Sequence, residues 1–511
     1  MSSPPLTSVA EPIAPPERVR HWPGAAGVMG LALVTLIVRW IFSGVRQLVP
    51  DEAYYWFWSR HPSLSYVDHP PMIAWVIRLG TRLGGDNELA VRWPMAIMAV
   101  GMVLILWRVF LRLNADFRAA GFVAVSLLVS PLVGILGSIA TPDTPAMFFQ
   151  AAALGCVLLI FAPGERRVRL LWMGFGLFMG LALDSKYTSV LLGGSVLLAL
   201  VCGREGRGQL RTRWPWIAAV IAAVVFSPVI IWNARHHWLS FTFQLQHGMS
   251  RDDSTSLMSN VVDYVGSQLG IATPVICVMS VMVLGIYGWR MVRGRASMYE
   301  KLLVATGAVP LIFFAATLLH KRGNGNWPIF AYLPATMLIG QYLSENWKGR
   351  RAWWARTGAV VALAILIVIH LPEFFMTISP KLGNPQWDRL YGWRELAGEV
   401  QQYRRGSPVY ATDYEYASEL TFYLPDHPTV WPLADDLLGV HRPTVFDQVL
   451  GYTPPSAHQR VLLVRKLHDY GDNGDLLLAN QGRFTHLDKI RWPTVEYGRT
   501  MRVNLITIGT K

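Results

Sequence analysis

From about residue 24 to about residue 375, long apolar runs alternate with short polar connections. A membrane-crossing helix needs about 20 mostly apolar residues. On that measure the runs at 24–44, 90–112, 117–138, 144–162, 169–184, 187–203, 214–232, 265–289, 300–319, 327–343 and 355–375 predict about eleven spans, within a range of about 10–13. The fifth and sixth are short, with Asp184 and Lys186 at their junction. Residues 1–23 are polar and proline-rich (Pro4, Pro5, Pro12, Pro15, Pro16) and predict a disordered tail. A cleaved signal peptide is the alternative for the first run, but its basic flank lies far from residue 1 and no small-residue cleavage site follows. Beyond residue 375 the pattern changes. Turn signals (Gly383-Asn384-Pro385, Asp472-Asn473-Gly474), strand-like runs at 409–411, 461–464 and 503–506, and a helical stretch from Ala417 to Leu424 predict a small α/β domain over 376–511.

Composition agrees with the pattern: 52% of residues are hydrophobic and 15% charged, against about 25% charged in soluble domains. The net charge of +13 could suit a nucleic-acid binder, but the arginines do not cluster on one soluble fold. They fall in every second connection: Arg18 and Arg20; Arg108, Arg112 and Arg118; Arg166, Arg167 and Arg169; Arg204, Arg207, Arg211 and Arg213; Arg290, Arg293, Arg295 and Lys301; Lys348, Arg350, Arg351 and Arg356. By the positive-inside rule these connections and the N-terminus are cytoplasmic, and the C-terminal domain is extracytoplasmic. The expected protein is a polytopic α-helical membrane protein with a 24–375 membrane domain. Cys156, Cys202 and Cys277 read as small apolar side chains, not as a redox pair or metal site.

Two outside connections carry the candidate chemistry. The first, residues 45–89, opens Pro50-Asp51-Glu52-Ala53-Tyr54-Tyr55-Trp56-Phe57-Trp58. Two acids before an aromatic run fit a helix at the lipid–water boundary, holding both carboxylates just outside the bilayer. Capping of that helix is the plainer reading of the acids. The loop continues through Asp68-His69-Pro70-Pro71 into a short amphipathic helix with Arg78 and Arg82. The second connection is Ser138-Ile139-Ala140-Thr141-Pro142-Asp143-Thr144-Pro145, where Asp143 meets a span end and desolvation of a carboxylate is costly. Lys186, Lys321 and Arg322, with Arg235, His236, His237 and His247, add cationic or polar groups to this face. Snorkelling to lipid phosphates is their alternative role.

At these residues the chain resembles the bacterial glycosyltransferase family 39-like proteins, integral-membrane enzymes of the GT-C fold. Their relatives include lipid A aminoarabinose transferases and protein O-mannosyltransferases. The matching stretches are 51–56, 66–71, 140–145, Asp184-Ser185-Lys186-Tyr187-Thr188, Asn326-Trp327-Pro328 and 416–424, in family order. The resemblance implies a polyprenyl-phosphate sugar donor and Asp51 as the catalytic carboxylate, and it suggests Asp143 as a second acid. Some relatives have Glu-Lys where Asp68-His69 stands, and that lysine contacts the donor phosphate; His69 replaces it here. Asp447-Gln448 matches the family only loosely and carries no assigned role.

Sugar transfer from a lipid phosphate needs a base for the acceptor hydroxyl, cations for the leaving phosphate and a crevice open to lipid and water. The expected roles are Asp51 as base, assisted by Glu52; Asp143 positioning acceptor or base; Tyr54 and Tyr55, with Asp68, as substrate contacts; and Lys186, His69, Lys321 and Arg322 on the donor phosphate. The acceptor would be an envelope glycolipid (lipid A or lipopolysaccharide) or a protein, with inversion at the sugar carbon, at the periplasmic face of a bacterial inner membrane. No nucleic acid is expected. A divalent cation could sit at the Asp/His clusters, although no ligand spacing asserts one. The competing class is a multispan transporter or flippase, which would hold its charges at the bilayer midplane.

Overall fold

The computed structural model describes residues 23–114, 116–249, 256–319, 323–345, 347–371, 387–432, 444–450, 460–466, 486–496 and 499–510. The expected tail at 1–23, apart from its last residue, and both Lys321 and Arg322 lie outside these residues.

The helices are α1 (Pro23–Val45), α2 (Pro50–Arg60), α3 (Met72–Gly84), α4 (Glu88–Asn114), α5 (Phe117–Leu128), α6 (Pro131–Leu136), α7 (Asp143–Ile160), α8 (Val168–Leu183), α9 (Val190–Cys202), α10 (Arg204–Leu210), α11 (Trp214–Arg235), α12 (Leu239–Met249), α13 (Leu257–Ala272), α14 (Pro274–Val292), α15 (Met298–Thr317), α16 (Tyr332–Glu345) and α17 (Gly349–His370). Seven of the described helices are long and apolar enough to cross a membrane: α1, α4, α7, α11, α14, α15 and α17. The other four expected runs are shorter helices. The run at 117–138 divides at Ser130, whose hydroxyl caps α6, with Pro131 in the first turn. The run at 169–184 is the 16-residue α8. Those at 187–203 and 327–343 each open as a 3-10 turn, Tyr187–Ser189 and Ile329–Ala331. The turn at 187–189 and α9, taken with α10 bent away by 113°, would make an eighth span. The run at 265–289 breaks at Thr273, whose φ of 66° no helix accommodates.

Helices α8 and α11 cross closely because small residues face each other. A Cβ placed on Gly176 would come within 2.3 Å of the Ala218 carbonyl oxygen, and one on Gly180 within 2.6 Å of Val225. This spacing of small residues lets backbones approach where lipid offers no hydrophobic drive for association. The arginine-rich connections meet at one end of the bundle: Arg112 donates to the Pro163 carbonyl, and Arg169 and Arg213 lie over the Trp214 ring. The acid-bearing connections meet at the other.

The C-terminal part adds α18 (Trp393–Arg404), β1 (Val409–Ala411), α19 (Tyr414–Tyr423), β2 (Trp431–Pro432), α20 (Val445–Leu450), β3 (Arg460–Lys466), β4 (His486–Glu496) and β5 (Arg499–Thr510). The sheet order is β2-β1-β3-β5-β4, parallel through β3 and antiparallel beyond. Its helices cover α2. Tyr54 and Phe57 stack on Phe446, Trp56 meets Phe422 edge-on, and Tyr54 lies against Tyr414. The aromatic run was expected at the lipid–water boundary. Instead Tyr54 to Trp58 are all buried, in a second hydrophobic core that residues between Leu48 and Met95 share with residues from Trp393 onward.

Candidate active site

Pro50 starts α2, so Asp51 and Glu52 fall in its first turn, where the helix dipole favours negative charge. One step of 100° along the helix sends them to different surroundings. Glu52 is fully buried. Its carboxylate accepts from Arg92 Nε at 2.7 Å, Arg92 Nη2 at 2.5 Å, Ala140 N at 2.7 Å and Val49 N at 3.0 Å. Arg92, on α4, also donates to the carbonyls of Ser43, Arg46 and Gln47. This knot joins the end of α1, the start of α2, α4 and the connection before Asp143. All four acceptor positions of Glu52 are thus occupied by donors of the protein itself.

Asp51 keeps 44% of its side-chain surface exposed and lies 3.8 Å from Arg389. Burial of the surrounding recess pushes its pKa up; Arg389 pulls it down, Glu52 pushes it up and a Tyr414 hydrogen bond pulls it down. Arg389 is shared with Glu415 at 2.8 Å.

Tyr55 links the scattered acids. Its hydroxyl is held far from ionising, first by burial and then by the negative charge of Asp51 and Asp68, with Tyr414 and Asp143 contributing. Asp51, Asp68 and Asp143, from three separate stretches of the chain, therefore all lie near enough for their charge to bear on this hydroxyl. Tyr54 donates to Asp68 Oδ2 at 3.0 Å and accepts from Val445 N at 2.8 Å. The His69 ring lies 6.3 Å from that of Tyr55. Gln448, on α20, accepts from Val67 N and donates to the Ser65 carbonyl, fixing this loop from the C-terminal side.

Asp143 opens α7. Its two oxygens are divided: Lys186 Nζ lies 2.6 Å from Oδ1, and Asn326 Nδ2 donates to Oδ2 at 3.0 Å. The pair is largely buried, with side-chain exposures of 12% for Lys186 and 11% for Asp143. Beneath it a narrow crevice of about 20 Å³ runs between α7, α9 and α15. Its walls are mainly apolar, among them Met147, Leu191, Pro310, Phe314 and Phe330. Cation and carboxylate thus stand together at the mouth of a mainly apolar crevice.

Arg235, His236 and His237 are exposed at the turn after α11, the His236 ring stacked on Trp232; nothing described brings them to Asp51. The side chain of His247 lies outside the described residues. No group of three or more His, Cys, Asp or Glu that could share a metal occurs among the described residues. Sequence reasoning assigned no role to Arg92, Asn326, Arg389 or Tyr414. Arg92 is a charge inside an apolar run, which by itself signals a buried partner. Arg389 and Tyr414 carried no comparable signal.

Comparison with known proteins places this geometry. Residues 68–232 match the family model described as dolichyl-phosphate-mannose-protein mannosyltransferase. The chain is 30% identical over 385 residues to the lipid A galacturonosyltransferase RgtD of Rhizobium johnstonii, covering 71% of this chain and 74% of that one. The fold is similar to that of ArnT from Cupriavidus metallidurans bound to undecaprenyl phosphate (TM-score 0.64, 17% identity, 94% and 98% of the two chains). It is also similar to the archaeal oligosaccharyltransferase AglB from Archaeoglobus fulgidus (TM-score 0.50, 11% identity, 87% and 70%). The molecule is a multi-pass membrane glycosyltransferase of the GT-C fold. It belongs to the family of membrane glycosyltransferases that includes RgtD.

Proposed function

We propose that this enzyme moves a sugar from a polyprenyl phosphate to a hydroxyl of lipid A or a related envelope glycolipid, at the periplasmic face of the inner membrane. The observation that carries this reading is the Lys186–Asp143 pair, braced by Asn326, at the mouth of a mainly apolar crevice. The alternation of arginine-rich connections supports a cytoplasmic N-terminus and a periplasmic C-terminal domain. The printed activity of RgtD supports the acceptor class, and the undecaprenyl phosphate held by ArnT supports the donor class.

In this mechanism Asp51 accepts the proton of the acceptor hydroxyl. The acceptor oxygen forms a bond to the anomeric carbon as the bond from that carbon to the phosphate oxygen breaks. Polyprenyl phosphate leaves with the bonding electrons, and Lys186 stabilises its charge. A single displacement with one carboxylate base inverts the anomeric centre. The raised pKa of Asp51 suits a base, because a more basic carboxylate is a better proton acceptor near neutral pH. His69, its ring 6.3 Å from that of Tyr55, is the candidate to assist the phosphate. Asp51 follows the end of α1 and Asp143 opens α7, so both acids stand at helix ends, which favours transfer over transport.

The test is incubation of the purified enzyme in lipid nanodiscs with radiolabelled polyprenyl-phosphate sugars and lipid A, starting with galacturonic acid as the sugar. Labelled lipid A with release of polyprenyl phosphate is expected. Transfer only from a soluble nucleotide sugar, or label moved across a sealed bilayer without transfer, would overturn the reading.

A further inference from the structure

Helix α13 is inside-out. Leu257, Met258, Val261, Val262 and Val265 are exposed, as suits a lipid-facing surface, whereas the buried stripe is Asn260, Tyr264, Gln268 and Ala272, at a spacing of four residues. Three of these four are polar, and polar side chains facing a bundle interior are costly unless partnered. Apart from the neighbouring Ser267 hydroxyl, which accepts from Gln268 Nε2 at 3.3 Å, their partners lie on one stretch of chain. Asn260 Nδ2 donates to the Leu318 carbonyl at 3.2 Å. Tyr264 donates to the Leu311 carbonyl at 3.4 Å and packs with Phe314 and Leu318. Gln268 Nε2 donates to the Gly325 carbonyl at 2.9 Å, while its Oε1 accepts from the Tyr332 hydroxyl at 3.1 Å. A carbonyl can only accept, so the orientation of the Gln268 amide is fixed.

Gly325 is pressed against α13: a Cβ there would stand 2.6 Å from Ser267 Cβ. The next residue, Asn326, donates to Asp143. Trp327, Ile329 and Phe330, just beyond, wall the cleft beneath Asp143 and Lys186. The polar stripe therefore bears on the cleft through this segment.

We propose that Gln268 is a positioning residue for the active site: through Gly325 it sets the place of Asn326, which holds Asp143 in register with Lys186. The inference rests on Asp143 and Lys186 belonging to the reaction centre. Gln268 touches no reacting atom, and its effect passes through two backbone-linked residues.

The test combines hydrogen exchange with a kinetic cycle in the full-length enzyme in nanodiscs. Gln268→Met keeps the side-chain length and removes the hydrogen bonds to Gly325 and Tyr332, with the weaker one to Ser267. Exchange in the 323–332 peptide should then quicken while peptides from α14 and α4 stay unchanged. The kcat/KM for transfer should fall roughly 10- to 100-fold, the scale of a misplacement near 1 Å. In an Asn326→Ala background the same change should cost less than about threefold, because coupled residues are non-additive. Gly325→Ala should reproduce the loss, and adding Ser267→Gly should relieve it. Unchanged exchange at 323–332, quickened exchange throughout the protein, or losses that multiply in the double variant would each overturn the proposal. Were the wild type to transfer no lipid-linked sugar, the functional reading would fail, and the exchange measurement would still decide whether Gln268 holds this segment.

Discussion

Around Glu52 four N–H donors meet one buried carboxylate, and its guanidinium partner ties off three further carbonyls. Around Asp51, one residue earlier, the carboxylate is half-open and shares its arginine with another acid. The two acids have similar chemistry and lie in the same helical turn. Their surroundings separate them: a closed and satisfied site holds the framework, whereas an incompletely neutralised site with a raised pKa is poised to take a proton. The same contrast recurs between Arg92, sunk among carbonyls, and Lys186, which stands with one carboxylate at the mouth of a cleft.

That contrast can be broken from either side. The largest effect is expected at the closed site. Arg92→Met leaves Glu52 buried with half its donors, a change that typically costs about 3–5 kcal/mol; thermal unfolding in nanodiscs should show severe destabilisation or no folded protein. A melting temperature near that of the wild type would mean the knot is not the framework element described here. At the cleft mouth, Lys186→Ala should leave the fold intact and raise the apparent KM for the donor by roughly 10- to 100-fold, the scale of a lost charge-assisted contact of about 1.5–3 kcal/mol. An unchanged KM would separate Lys186 from the phosphate.

A smaller effect is expected in the pH profile. Asp51 works ionised, and its pKa is raised, so kcat/KM should fall on the acid side at a pH above the ordinary aspartate range of about 3.9. Arg389 draws this pKa down. In Arg389→Gln the acid limb should therefore move to higher pH, and Tyr414→Phe should move it the same way by less. A limb that moved to lower pH in either variant would mean that another group is titrating.

Much of this was legible in the sequence, for identifiable reasons. Charge alternation separated the two ends of the bundle because arginine placement is a one-dimensional signal. The acid-bearing stretches at 51–52, 68–69 and 140–145 stood out because carboxylates are rare in so apolar a chain. That their charges all bear on the Tyr55 hydroxyl could not be read, since it depends on how three stretches of chain fold over one another. Among the described residues seven helices, or eight with the bent pair, are long and apolar enough to span, and apolar runs alone do not reveal where Ser130 caps a new helix or where Thr273 takes a positive φ. The aromatic run was read as a lipid anchor because its true neighbours, Phe422 and Phe446, lie more than 350 residues away in sequence. The enclosure of Glu52 was hidden for the same reason: its partner Arg92 lies 40 residues on.

The most direct test of the account is Asp51→Asn, assayed in nanodiscs for transfer from polyprenyl phosphate to lipid A and, on the same samples, for thermal unfolding. The amide keeps the shape of a half-open side chain and removes the base. The account predicts a folded protein with a melting temperature close to that of the wild type and transfer reduced by roughly 10²–10⁴-fold, the range attributed to general base catalysis. Transfer near the wild-type rate in folded Asp51→Asn would contradict it.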